Sequence, residues 1–110
     1  MGVVHYSEEA RLDADNIKEY LLALGMDENK AEDFVDEIID YADSLASFPE
    51  RGAPLSARIH LATDIRYLIS NGYLIFYRVE NDNVFVSRIL SEKMNYMKVL
   101  FSRTGSTINN

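Results

Sequence analysis

Three arginines lie inside stretches of the sequence that are otherwise apolar. Arg66 is in TDIRYLIS, Arg78 is in GYLIFYRVE and Arg88 is in NVFVSRIL, and Lys93 and Tyr96 follow soon after. A guanidinium is always charged and donates hydrogen bonds in a fixed fork, so this group of residues is a candidate surface for an anionic or protein partner. The structural alternative is that each arginine lays its stem over apolar neighbours and pairs with an acid of the same chain. Tyr96 has a similar alternative, as a core residue.

A second candidate for chemistry is His60, which lies in the loop PERGAPLSARIH together with Arg58. Imidazole is a common general base, but an isolated histidine without an Asp or Ser near it in sequence is usually solvated. The acidic strings DADN and DEIID have spacings that match no metal-binding loop, and the chain has no cysteine. We therefore predict no metal site, no cofactor, no disulfide and no thiolate nucleophile.

The charge of the chain divides into two unequal parts. Residues 8–48 contain thirteen acids against Arg11, Lys18 and Lys30, a balance of −10, whereas residues 49–110 contain eight bases and five acids, a balance of +3. An anionic partner is therefore expected to bind the second part. The overall net charge of −7 disfavours direct binding of nucleic acid.

The length and the hydropathy pattern indicate one soluble domain. A chain of 110 residues fits a single domain over residues 1–110, with a polar tail from about residue 102. No apolar run reaches the roughly 18 residues that a membrane helix needs, and the N-terminus MGVVHYSEEAR does not have the pattern of a secretory leader. We expect a cytoplasmic protein that makes no contact with a membrane.

The first half of the chain predicts a short strand followed by two helices. VVHYS suits a strand, and Ser7 can cap a helix whose apolar positions recur at helical spacing. Gly25 can end that helix, Asp27 can cap the next one, and Pro49 ends it. Because only GMD separates the two helices, they must form an antiparallel hairpin with their acids on the outer faces.

The second half predicts a three-stranded antiparallel meander and a short helix. We place no regular structure in PERGAPLSARIH, and then strands over TDIRYLIS, residues 73–80 and residues 84–90, with turns at SNG and NDN. A short helix is expected to begin at Ser91 or Glu92. The predicted fold class is α+β: an N-terminal strand, an antiparallel helical hairpin, a three-stranded antiparallel meander and a short C-terminal helix, in two layers.

The register of the last hairpin predicts which side chains share a face. With Asn81 and Asp82 central in the turn, strict alternation pairs Val79 with Val84, Tyr77 with Val86 and Ile75 with Arg88. One apolar face would then lie under the helical hairpin. The other face, which contains Leu74, Phe76, Arg78, Phe85 and Ile89, is too large for the short C-terminal helix to cover. We therefore expect an exposed apolar strip with an arginine rim that receives a partner segment.

Several of these motifs resemble those of a known family. FPERG after two helices, then IRYLISNGYLIFYRV and VFVSRILSEKMNYMKVLF, resemble the RelE/ParE superfamily of bacterial toxins, and GYLIFYRV and RILSEKMNY look most like the ParE-like branch. The resemblance extends from Tyr6 to Phe101. It implies the toxin of a type II toxin–antitoxin, or plasmid stabilisation, module, held inactive by a cognate antitoxin. The target that it implies is DNA gyrase for ParE-like members and ribosome-bound messenger RNA for RelE-like members.

The resemblance also identifies residues that the RNA-cleaving branch would need and this sequence does not have. Leu74, Met94 and Leu100 stand where RelE-like enzymes would have Arg, Arg and Tyr, and ILS replaces the usual ILH. Cleavage through a 2′-hydroxyl needs a base, an acid and cations that converge on one phosphate.

Three functional hypotheses follow. The first is a non-catalytic ParE-like toxin that binds a protein such as DNA gyrase. The second is a ribosome-dependent endoribonuclease that uses Arg58, His60 and Arg66, and the third is a non-toxic remnant that only binds the antitoxin. The expected residues of contact with the target or the antitoxin are Arg66, Arg78, Arg88, Lys93, Tyr96, Leu74 and Phe76.

Overall fold

A computed structural model describes residues 2–101 of the chain. Its elements in chain order are β1 (Val4–Tyr6), α1 (Glu8–Ala23), α2 (Glu28–Asp43), a 3-10 turn (Ser44–Ala46), β2 (Ala53–Pro54), α3 (Ser56–Ile59), β3 (Arg66–Ser70), β4 (Tyr73–Glu80), β5 (Asn83–Ser91) and α4 (Tyr96–Phe101). The predicted α+β class and the order of its main elements are confirmed. The polar tail from about residue 102 lies outside the described residues, and the single domain over 1–110 stays a prediction.

The helical hairpin forms as its caps predict. The Ser7 hydroxyl accepts a hydrogen bond from the Ala10 N–H at 3.0 Å, and the Asp27 carboxylate accepts one from the Asn29 N–H at 3.0 Å. These side chains satisfy N–H groups that have no partner within the first helical turn. Gly25 has a φ of 95°, the left-handed conformation that ends α1 and reverses the chain.

The strands form one sheet in the order β1-β5-β4-β3-β2, in which β1 runs parallel to β5 and the other pairs are antiparallel. The two hairpin turns have positive φ at both central residues, Asn71 and Gly72 in one and Asn81 and Asp82 in the other. Such turns match the twist of the flanking strands, which is why Asn, Asp and Gly occupy them. Two hydrophobic clusters cover the two faces of this sheet.

The first face, which we call the hairpin face, packs against α1 and α2. Its buried residues are Leu68, Ile75, Tyr77, Val84, Val86 and Ile89, and they contact Ala10, Ile17, Leu21, Ala31, Ile38, Ala42 and Leu45. The second face, which we call the far face, has a smaller cluster of Leu55, Leu74, Phe76 and Leu90, against which Tyr96, Val99 and Leu100 of α4 pack. The sheet is thus covered on both sides.

The predicted register is correct at the turn and wrong beyond it. Val79 pairs with Val84 and Tyr77 with Val86, as expected, but Arg88 pairs with Phe76 and not with Ile75. Ser87 is therefore the extra residue of a β-bulge in β5. The bulge shifts the alternation by one position, so that Ile89 lies on the hairpin face and Leu90 on the far face, the reverse of the prediction.

The prediction that the loop before β3 has no regular structure is also wrong. This segment contains β2 and α3, and the side chain of Leu55 between them is completely buried on the far face. The Leu55 N–H donates to the Ile65 carbonyl at 2.9 Å, which holds the segment against the start of β3. α4 begins at Tyr96, later than the predicted start at Ser91 or Glu92, because β5 extends to Ser91 and a turn follows it.

Candidate functional site

The far face is covered more completely than the sequence predicts. Leu74 and Phe76, expected as contact residues, are fully buried, and Leu90 is buried beside them. Their cover consists of α4 and of Leu55 in the segment between β2 and α3. The expected bare apolar strip on the sheet is thus wrong, because the second covering segment is not visible in the periodicity of the sequence. In this structure Leu74 and Phe76 form the centre of the second core.

A groove remains on the far face beside α4, and we call it the far-face groove. Its main part has a volume of about 360 Å³ and is lined by Ser7, Glu9, Ile65, Arg78, Ser87, Arg88, Val99 and Leu100. It continues towards β1 as a part of about 270 Å³ that shares Ser7, Arg78 and Ser87 and adds His5, Tyr6, Phe85 and Val86. The rings of His5 and Phe85 are stacked with their centroids 4.9 Å apart. The groove therefore joins two arginines to apolar and aromatic walls.

Arg88 is placed in this groove by the bulge, and its guanidinium is occupied. Its Nε and Nη2 donate to the two carboxylate oxygens of Asp13 at 2.8 and 2.9 Å, and the same carboxylate accepts the Ile89 N–H at 2.9 Å. Asp13 is only 8% exposed. The hydrogen bond with Asp13 raises the pKa of Arg88. The structural interpretation thus describes Arg88 in this structure, and Asp13 is the one predicted outer acid of α1 that is buried.

Arg78 lies at the point where the two parts of the groove meet. Its Nη1 is 2.8 Å from a carboxylate oxygen of Glu80 and 4.0 Å from one of Asp64. All three side chains are exposed, at 41% for Arg78, 57% for Glu80 and 77% for Asp64. Ion pairs between exposed side chains contribute about 0–1 kcal/mol, so Arg78 can exchange these partners at small cost.

Arg66 lies on the other side of the sheet. It pairs in register with Tyr77, whose side chain belongs to the hairpin face. Its Nη2 donates to the carbonyls of Gly52 and Glu50 at 2.6 and 3.2 Å, and its Nε is buried without a hydrogen-bond partner among the described residues. Arg66 therefore holds the segment before β2 against the sheet.

Arg58 joins α3, β3 and α4. Its Nε donates to the Tyr96 hydroxyl at 2.8 Å and its Nη1 to the Tyr67 hydroxyl at 3.3 Å, and these hydrogen bonds raise the pKa of Arg58. The Tyr96 ring also packs on Phe76, with centroids 5.5 Å apart. Tyr96 is thus half-buried and fixes α4, in line with its structural interpretation.

The residues of the endoribonuclease hypothesis do not come together. Arg58 is on the far face with Tyr67 and Tyr96, whereas Arg66 is on the hairpin face, so the sheet separates the two guanidinium groups. His60 is exposed at the end of α3 with a φ of 58°. Lys93 is exposed in the turn before α4. Within residues 2–101 no group of three or more His, Asp or Glu side chains is placed to hold a metal ion.

Comparison with known protein families identifies the family of this chain. The family model described as "ParE toxin of type II toxin-antitoxin system, parDE" matches residues 4–96, most of the chain. The chain belongs to the ParE toxin family. The expected resemblance to the ParE-like branch is therefore confirmed, and the protein is a type II toxin component whose family implies an antitoxin partner.

A solved structure supports the fold of this ParE-family chain. The chain is similar to a structure titled "Chromosomal ParDE TA system from P. aeruginosa", with a TM-score of 0.70 and 20% sequence identity, over 83% of this chain and 96% of that chain. No curated protein sequence matches this ParE-family chain. In the part of the chain that the structure describes, no helix is both long enough and apolar enough to cross a membrane.

Some of the residues that line the groove of this ParE-family protein were predicted from the sequence, and the others were not. It identified Arg78 and Arg88, which both line the groove. It missed Asp13, Ser7 and the His5–Phe85 stack. The sequence did indicate that Arg88 needs an acidic partner, because strict alternation would place Arg88 on the buried hairpin face, where a guanidinium needs a carboxylate. Nothing in the sequence shows which of the thirteen acids of the hairpin supplies it.

Proposed function

We propose that the chain is a ParE-type toxin that acts in the cytoplasm by binding a protein target, with DNA gyrase as the expected target, and that a cognate antitoxin neutralises it. The observation that carries this proposal is the match of the ParE family model over residues 4–96. Family membership alone leaves the target open, so the proposal for gyrase depends also on which chemistry the side chains can do.

The placement of the charged groups supports a binding function over RNA cleavage. An acid–base mechanism needs its groups within hydrogen-bond reach of one phosphate. Here Arg58 is bonded to two tyrosine hydroxyls on the far face, and Arg66 is bonded to backbone carbonyls on the hairpin face. The far-face groove, by contrast, offers apolar walls beside guanidinium groups, which suits a polypeptide partner.

The test is controlled expression of the chain in bacteria, with and without co-expression of a candidate antitoxin. The candidate is a short protein encoded by a reading frame next to that of the chain, which we call the adjacent protein. We expect growth arrest and a DNA-damage response that co-expression suppresses, and loss of supercoiling by purified gyrase when the purified chain is added. Intact supercoiling together with cut messenger RNA would contradict the gyrase proposal. Harmless expression together with tight binding of the adjacent protein would instead indicate a non-toxic antitoxin-binding remnant.

A matched variant separates binding from RNA cleavage. His60→Asn removes the imidazole, and asparagine tolerates the left-handed backbone that His60 adopts. We expect this variant to arrest growth as strongly as the wild type. Loss of toxicity in His60→Asn, with the fold intact by circular dichroism, would support the endoribonuclease hypothesis.

A further inference from the structure

The three strand arginines differ in how firmly the chain itself holds them. Arg66 donates to two backbone carbonyls, and Arg88 forms two hydrogen bonds with the buried carboxylate of Asp13. A ligand that displaced the partners of Arg66 or of Arg88 would therefore break contacts that hold the fold together. Among residues 2–101, the partners of the Arg78 guanidinium are two exposed carboxylates, those of Glu80 and Asp64. A carboxylate from another molecule can therefore displace those of Glu80 and Asp64 from Arg78 without disturbing the core.

Arg78 also lies between two apolar parts of the far-face groove. It lines the main part of the far-face groove, whose walls include Ile65, Val99 and Leu100, and it lines the second part, next to Phe85. A carboxylate held by Arg78 would thus have neighbouring side chains that enter an apolar space in either direction. Such a site selects a short segment in which apolar residues flank an acid.

The charges around the groove determine where that acid binds. At the other end of the groove, Asp13 neutralises Arg88, and Glu9 adds a further negative charge to the lining. A second carboxylate at that end would be repelled, so the acid of the partner is directed to Arg78. The two parts of the groove, about 360 and 270 Å³, accommodate a few side chains. The groove therefore acts as an anchor within a larger interface.

We propose that the far-face groove binds a short segment of the antitoxin in which a carboxylate is flanked by apolar side chains, and that Arg78 receives this carboxylate in exchange for Glu80. This inference rests on the proposed function, because it takes the antitoxin as the partner. It adds the chemistry of the bound segment and the residue that recognises it. Glu80 is then an internal competitor that lowers the affinity for the antitoxin.

Competition between Glu80 and the antitoxin for Arg78 predicts opposite effects of two substitutions on the affinity. The probe is the purified adjacent protein, that is, the candidate antitoxin, and its affinity for the full chain is measured by titration calorimetry at low salt. Arg78→Gln should weaken binding about tenfold to hundredfold, as expected for loss of a charge-assisted hydrogen bond at an interface. Glu80→Gln should strengthen binding about two- to fivefold, because it frees Arg78 from an exposed ion pair.

A matched control is Arg51→Gln. Arg51 is an exposed arginine whose guanidinium packs over Tyr41 and Phe48, away from the groove. Its replacement should leave the affinity within about twofold of the wild type, since surface changes outside the contact have small effects. Thermal melting of each variant verifies the fold. If Arg78→Gln does not fold, Glu80→Gln alone still tests the competition.

The outcomes that overturn the inference are specific. An affinity of Arg78→Gln within about twofold of the wild type would show that Arg78 does not hold the partner. Weaker binding by Glu80→Gln would show that the pair with Arg78 is structural and that no exchange occurs. A wild-type chain that does not bind the adjacent protein would contradict the proposed function as well, which distinguishes the two failures.

Discussion

Replacement of Asp13 by alanine should destabilise the fold strongly, although Asp13 is one of many acids on the helical hairpin. The carboxylate accepts three hydrogen bonds, two from the Arg88 guanidinium and one from the Ile89 N–H. β1 pairs with β5 at Val84–Val86, so in the described part of the chain no strand lies along the outer edge of β5 at Ile89, opposite β4. Asp13 thus takes the place of a strand along this edge and fixes α1 to it.

The magnitude follows from what the substitution leaves without a partner. The buried Ile89 N–H loses its acceptor, which costs about 1–3 kcal/mol. Arg88 loses its counterion, but its side chain is 28% exposed and water can partly replace the carboxylate. We therefore assign about 1–2 kcal/mol to Arg88, below the cost of about 3–5 kcal/mol for breaking a fully buried pair. The total is about 3 kcal/mol, or about 12 °C in melting temperature at about 4 °C per kcal/mol.

The assay is urea unfolding of the purified chain at pH 7, with Asp15→Ala as the matched control. Asp15 is an exposed aspartate on the same helix, and its replacement should change the free energy of unfolding by less than about 0.5 kcal/mol. In Asp13→Ala combined with Arg88→Met, the second substitution removes the unpaired charge, so the double variant should be more stable than the sum of the single effects predicts. A free energy of unfolding for Asp13→Ala that equals that of Asp15→Ala would refute the reasoning.

Three further substitutions test other parts of the structure. Tyr77→Phe removes the hydroxyl that accepts the buried Gly52 N–H at 2.9 Å. It should lower the free energy of unfolding, measured in urea, by about 1–3 kcal/mol. An unchanged midpoint would show that this hydrogen bond contributes nothing to stability. Ser7→Ala removes the cap of α1 and should cost about 1 kcal/mol, measured in the same way; a loss below about 0.3 kcal/mol would contradict the role of the cap. Arg58→Ala removes the hydrogen bond to Tyr96, so the amides of α4 should exchange hydrogen faster while those of β4 are unchanged; equal protection of α4 would contradict its attachment by Arg58.

The sequence predicts the helical hairpin and the meander because these depend on local signals. Apolar residues at helical spacing, the caps Ser7 and Asp27, and the left-handed Gly25 specify α1 and α2 without any knowledge of distant residues. The turns at Asn71–Gly72 and Asn81–Asp82 specify the strand pairs in the same local manner.

The cover of the far face cannot be predicted in this manner. β2 and α3 are two and four residues long, too short to show a period, and they form because Leu55 is buried against the sheet and because its backbone bonds to Ile65. Tertiary contacts of this kind override weak local propensity. The expectation of an exposed apolar strip was wrong for this reason. Arg78 lies on the far face as predicted, whereas the predicted register put Arg88 opposite Ile75 on the hairpin face, and the structure pairs it with Phe76.

The bulge at Ser87 connects the missed register to the site. In strict alternation Arg88 would point into the hairpin core, where a guanidinium without partners is costly to bury. The extra residue rotates Arg88 to the far face and returns Ile89 to the core, and Asp13 then bonds to both residues. The Ser7 hydroxyl donates to the Ser87 carbonyl at 2.8 Å, so the cap of α1 also fixes the bulge. The guanidinium of Arg88 is therefore held by contacts that stabilise the fold. Of the two groove arginines, Arg78 is the one whose bound carboxylate, that of Glu80, is exposed and can be exchanged for that of a partner.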